Sequence, residues 1–194
     1  MKTALYIDCC IRGADSRTRA LAEAFFSALG PEYETERLYL PEENLACFQG
    51  AYFDQRERLL AAGERDHPRF RYARQFARAG LIVAAAPFWD LSFPALLKVY
   101  IEQVSVDGIT FQSGEAGLRG LCRAERLVFL TTRGGFYTDS PDEMGSRYLE
   151  AMSRFFGIGA YSCVAADGMD AAGFDGSASL RRACREAAAL AGAL

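Results

Sequence analysis

The spacing of apolar positions changes along the chain, and each change predicts an element. Residues 81–86 (LIVAAA) are an unbroken apolar run, so both faces of this strand are expected to be covered, as in a parallel sheet. Pro87 ends the run, because proline cannot donate to a ladder. The run RLVFLT at 126–131 predicts a second buried strand, and residues 3–9 and 161–166 predict two more. Tyr33 to Leu38 alternates Glu with hydroxyl and aromatic residues, which fits a strand near a sheet edge. Helical spacing appears between these strands. It runs from Ser16 to Gly30, with Leu21, Ala24, Phe25 and Ala28 on one face. It returns from Pro94 to Val106, with Leu96, Leu97, Tyr100, Ile101 and Val104. Further helices are expected over 142–156 and 177–193, and a charged one from Asp54 to Ala79, broken near Gly63 to Pro68. Ile109 to Gln112 reads as a short extended piece. Residues 39–52 read as an irregular loop, whose Phe48 and Tyr52 are either a pocket wall or aromatics packing on one another.

Five strands alternating with helices predict an α/β protein: a doubly wound five-stranded parallel sheet of order 2-1-3-4-5 with helices on both faces. The 194 residues are expected to form one domain over 1–194. A net charge of −3 supplies no general field for nucleic acid, and no apolar run approaches the roughly 20 residues of a membrane span. With no export signal at Met1, a cytoplasmic protein is expected. The six cysteines then read as reduced thiols. No C-x-x-C occurs and His67 is the only histidine, so no metal site is expected.

In a sheet of this order the loops after the first, third and fourth strands converge at one edge. The first, Cys10 to Thr18, brings a glycine, two arginines and two hydroxyls to a helix N-terminus. That end either binds an anion through its free amides, Ser16 and Thr18, or is simply capped by Asp15 or Ser16. The second places Phe88, Trp89 and Asp90 after Pro87, where they either meet a flat ligand or cap the core. The third, Thr132-Arg133-Gly134-Gly135, permits close approach to backbone N–H groups. Together they suit a phosphate and a ring system.

Here the sequence resembles the FMN-dependent NAD(P)H:quinone oxidoreductases and azoreductases of flavodoxin-like fold. The segment from Ala86-Pro87-Phe88-Trp89-Asp90-Leu91 through Leu97, Lys98 and Tyr100 to Gly108-Ile109-Thr110-Phe111 is similar to that family's A-P-M-Y-N-F, L-K-x-Y-x-D and G-x-T-F pattern. Thr132-Arg133-Gly134-Gly135 is similar to its S-R-G-G. The resemblance implies that Cys10, Ser16, Arg17 and Thr18 hold the FMN phosphate and that Pro87, Phe88, Trp89, Asp90 and Leu91 bind the isoalloxazine. Thr132, Arg133, Gly134 and Gly135 would then close its pyrimidine side. Phe48, Tyr52, Phe136 and Tyr137 are expected to wall the substrate pocket. The flavin carries the chemistry, so no catalytic side chain is expected. NADH or NADPH would deliver hydride, and a quinone or azo compound would accept it in a ping-pong cycle. Relatives are homodimers, with the helix after Pro94 as a candidate contact.

The chain departs from the pattern in four places, one of them Trp89, which is larger than the usual tyrosine and would narrow the space over the ring. Cys9-Cys10 stands where the family commonly has a serine pair, and a thiol donates more weakly than a hydroxyl. Asp15 would repel a phosphate unless Arg12 or Arg17 offsets it. Asp90 replaces an asparagine. Three other readings stay open: a flavodoxin-type electron carrier, a relative that has lost FMN and binds a ligand or partner, and a cysteine hydrolase pairing Cys10 with His67.

Overall fold

The computed structural model describes residues 1–115 and 117–194. Strands β1 (Lys2–Asp8), β2 (Tyr33–Tyr39), β3 (Leu81–Ala85), β6 (Arg126–Thr132) and β7 (Ala160–Ala166) make one parallel sheet in the order β2-β1-β3-β6-β7. This is the expected doubly wound flavodoxin-like order.

Alternation along the strands divides the core in two. Leu81, Val83 and Ala85 of β3 face helices α1 (Arg17–Ala28) and α6 (Gly176–Gly192), meeting Leu21, Phe25, Ala183 and Ala187. Ile82 and Ala84 face the other way, against α3 (Arg71–Arg78), α4 (Ala95–Val104) and α5 (Met144–Phe155), with Phe76, Leu97, Tyr100 and Leu149. Both faces of β3 are therefore covered, which is why its sequence shows no polar alternation. The alanines at 183, 187 and 191, one turn apart, give α6 a smooth stripe against α1. Helix α2 (Gly50–Ala61) buries no residue fully and rests through Leu59 and Leu60 on Phe70 and Val106.

Two local expectations are corrected. The charged segment is broken near Gly63 to Pro68 as expected, but its helices differ in bounds: α2 starts at Gly50 rather than Asp54 and stops at Ala61, and α3 begins at Arg71, after a 3-10 turn at Pro68–Phe70. The extended piece at 109–112 is part of an antiparallel hairpin, β4 (Phe111–Gly114) with β5 (Gly117–Gly120), outside the main sheet. The hairpin docks on the end of α5. Phe111 packs against Phe155 at 4.7 Å, and the Cys122 amide donates to the Phe156 carbonyl at 3.1 Å. Helix α5 closes with a left-handed Gly157 (φ 75°), whose amide reaches Arg154 while that of Ile158 reaches Ser153, so the last carbonyls are satisfied.

Candidate functional site

The sheet edge at the strand C-termini carries a cleft of about 420 Å³, within the usual size of a cofactor site. Four loops build it, one more than expected.

The first follows β1. The fully buried Asp8 carboxylate fixes its course, accepting from the Cys10 amide at 2.9 Å through Oδ1 and from Arg37 Nε at 2.9 Å and Arg19 at 3.3 Å through Oδ2. Ser16 caps α1, its side chain accepting from the Arg19 amide at 3.3 Å, and the Arg17 and Thr18 amides, at the start of α1 beside the cleft, have no partner among the described residues. Thr18 Oγ1 hydrogen-bonds Thr132 Oγ1 at 2.7 Å, stitching this loop to the one after β6. Arg12 lines the cleft without a partner among the described residues, and so does Asp15.

In the second loop, the Trp89 and Ser92 backbones bond reciprocally at 3.0 and 2.8 Å, closing a two-residue turn over Asp90 (φ 49°) and Leu91 (φ 65°). Both central residues are left-handed, a conformation usually left to Asn and Gly. It holds the Asp90 and Leu91 amides out of any ladder, and neither has an acceptor among the described residues.

After β6, Arg133 is 3% exposed and pairs with Glu143 and Asp167 at 3.3 Å each. Its guanidinium lies 5.6 Å from the Phe88 ring centroid, and Tyr137 packs on the same ring at 4.5 Å. Burial works against the Asp167 charge. The Thr138 hydroxyl, the Tyr137 and Thr138 amides and Arg133 outweigh it and hold the carboxyl below the usual range. The Gly134 and Gly135 amides stay unpaired among the described residues, while their carbonyls accept from Asp170 and Gly168.

The fourth loop follows β7. Arg17 donates to the Met169 carbonyl at 2.7 Å and to Asp170 Oδ1 at 2.8 Å, clasping this loop over the start of α1. A Cβ on Gly134 would lie 2.9 Å from Asp170 Oδ2, so a larger residue there would shift the Asp170 side chain. Met169 and Asp170 were missed in the sequence, although a fifth strand beside the fourth must deliver its loop to the same edge.

Ser16, Arg17 and Thr18, Pro87 to Leu91, Thr132 to Gly135 and Tyr137 all line this cleft. Four expected residues do not. Cys10 is fully buried behind the wall, its thiol facing the Ala85 carbonyl at 3.8 Å. Phe136 is 60% exposed and stands edge-on to Phe174 at 4.9 Å, beside the cleft. Phe48 and Tyr52 stack on each other at 5.8 Å, with Arg69 only 3.8 Å from the Tyr52 ring centroid and the Tyr52 hydroxyl on Gln103 of α4 at 3.3 Å. The two cations Arg56 and Arg69 and the α4 acceptor hold that pair on the α2–α4 surface.

Burial, reinforced by the Asp8 charge, pushes the Cys9 and Cys10 thiols up to about 12. Both are protonated and inert near neutral pH, which removes the basis for a Cys10 nucleophile. Iodoacetamide at about pH 8 is expected to alkylate the exposed Cys47 and spare Cys9 and Cys10 until the protein unfolds, as read by peptide mass mapping. Native labelling of Cys10 would show that the strand end is open. Among the described residues no cluster of three His, Cys, Asp or Glu could hold a metal ion, and no helix is long and apolar enough to cross a membrane.

A family model described as flavodoxin-like fold matches residues 2–190. An FMN-dependent NADH:quinone oxidoreductase of Clostridium perfringens is 38% identical over 180 residues, 89% of each chain. FMN-dependent NADH:quinone oxidoreductase 2 of Clostridium acetobutylicum is 44% identical over 126 residues, 63% of each chain. A crystal structure of an azoreductase from Bacillus anthracis superposes with a TM-score of 0.89 at 24% identity over the whole of both chains, a likeness of fold.

Proposed function

We propose, of a chain that belongs to the flavodoxin-like family of FMN-dependent NADH:quinone oxidoreductases and is itself an oxidoreductase, that its cleft holds FMN and passes electron pairs from a nicotinamide donor to quinones or azo compounds. The observation that carries this reading is a set of unpaired amides at three separate points of one cleft: Arg17 and Thr18, Asp90 and Leu91, Gly134 and Gly135. A phosphate and a flat heterocycle with acceptors along its edge need that donor set.

Bound FMN supplies the two-electron redox chemistry, and donor and acceptor use the same cleft in turn, a ping-pong cycle. The chain's own residues bind and orient. The α1 N-terminus, Ser16 and Arg12 anchor the phosphate, and Arg12 offsets Asp15. The Asp90–Leu91 turn presents its amides to the heterocycle without needing to reorganise. Gly134 and Gly135 would hold the pyrimidine edge through theirs and stabilise negative charge there. Phe88, wedged between Tyr137 and Arg133, fixes the height of the ring plane. Trp89 and Leu91, 44% and 43% exposed, offer an apolar surface to an aromatic substrate. With Phe136 and Met144 they form a rim that a second copy covers in a homodimer. Six free cysteines suit work in the cytoplasm.

The test is the visible spectrum of protein mixed with FMN and freed of excess, then treated anaerobically with NADH or NADPH. Retained flavin bands that bleach in one two-electron step and return with a quinone are expected. A chain that keeps no flavin would overturn the reading, and an accumulating one-electron species would favour an electron carrier.

A further inference from the structure

A second cavity, of about 440 Å³, opens on the far side of the Arg133–Tyr137 wall. Those two residues line both spaces, so the second cavity adjoins the first cleft. Its floor is Cys163 and Ala165 of β7, and its sides come from the start of α5 and the middle of α6.

Two observations mark it as a site rather than a crevice. Arg133 is almost wholly buried, yet its Nε has no hydrogen-bond partner, although its terminal nitrogens meet Glu143 and Asp167. Around the mouth, Arg182, Glu186 and Asp139 are also without partners among the described residues. Arg182 and Glu186 stand one helical turn apart, where such pairs commonly form, and neighbouring Arg181 does pair, with Asp175. Arg147 donates to the Ser140 and Pro141 carbonyls at 3.4 and 3.2 Å, which hold its guanidinium in place.

We propose that this cavity binds the adenosine-diphosphate end of the nicotinamide donor, with Arg147 and Arg182 on the pyrophosphate and Asp139 and Glu186 on the adenosine ribose. The inference rests on the reading of the first cleft as the flavin site. A nicotinamide ring placed there leaves a tail of two riboses, two phosphates and a base, which needs a polar surface of both signs adjoining the cleft. Guanidinium forks match phosphate oxygens. Carboxylates accept the ribose 2′-hydroxyl and repel a 2′-phosphate. The mixture of charges therefore selects NADH over NADPH, whereas a purely basic cavity would do the reverse.

The test titrates the FMN-loaded protein with ADP-ribose by calorimetry. It also compares NADH with reduced nicotinamide mononucleotide, which lacks the adenylate half. The four residues are exposed, so their variants fold. Removing two charged partners in Arg147→Ala/Arg182→Ala is expected to weaken ADP-ribose binding at least about tenfold and to raise KM for NADH, relative to KM for the mononucleotide, by a similar factor. Asp139→Asn/Glu186→Gln is expected to reduce the preference for NADH over NADPH about fivefold or more. Unchanged ADP-ribose affinity in the arginine variant, equal KM changes for both donors, or an unaltered donor preference would each overturn the proposal. Flavin that is retained and bleached by NADH alongside any of these results would leave the functional reading standing. Loss of flavin from the unsubstituted protein would remove both.

Discussion

Arg12→Ala is expected to weaken FMN binding about 10- to 100-fold, the range for one hydrogen bond to a charged group, while thermal unfolding of the FMN-free protein stays unchanged. Three arginines line the cleft, and two are already engaged. Arg17 is tied to Met169 and Asp170, and Arg133 to Glu143 and Asp167. Among the described residues Arg12 is the remaining cation of the cleft without a partner, and it stands on the same wall as Asp15. Because Arg12 is exposed, the loss should shrink as salt rises. Arg17→Ala should behave differently, lowering thermal stability as well, since it releases the loop after β7. Fluorescence titration of FMN at two ionic strengths, with thermal unfolding of each variant, checks both statements. An Arg12→Ala protein that binds FMN normally would mean that α1 and its hydroxyls suffice.

Gly120→Ala is expected to destabilise the protein by about 3 kcal/mol or more, a fall in Tm of roughly 6–12 °C for a chain of this size. A Cβ at Gly120 would overlap the Phe156 carbonyl and the Gly157 amide. These are main-chain atoms that cannot swing aside, and Gly157 is itself fixed in the left-handed cap of α5. The hairpin would have to lift off α5, exposing the Phe111–Phe155 contact. Gly114→Ala is the control on the same hairpin, because nothing lies within 4 Å of its would-be Cβ and its φ is not left-handed. Thermal unfolding of the two variants side by side decides the matter. Equal, small shifts would show that the hairpin yields without cost.

What the sequence disclosed follows from where burial is symmetric. LIVAAA and RLVFLT were legible because helices cover both faces of their strands, and the loops they deliver followed from the topology. The hairpin was not legible. Its strands are four residues each, mostly exposed, glycine-bounded and outside the main sheet, so no buried face imprints a period. The aromatics Phe48 and Tyr52 misled for a related reason. An aromatic in a loop looks the same whether it faces a ligand or an arginine, and Arg56 and Arg69 lie some way along the chain in elements whose placement only the fold supplies. Cys10 was expected to bind because the family resemblance implied it. The backbone turns there on Asp8, which draws the Cys10 amide inward and leaves the thiol behind the wall.

The pairing of α1 with α6 bears on the order of events during synthesis. Helix α1 leaves the ribosome early, yet Ala183, Ala187 and Ala191, which share its core with Leu21 and Phe25, arrive only with α6. The clasp on Arg17 likewise waits for Met169 and Asp170. A nascent chain therefore carries β1, α1 and the loop between them for most of its elongation without the elements that hold them in place. The cleft takes its final shape only after β7 and the loop beyond it have been made.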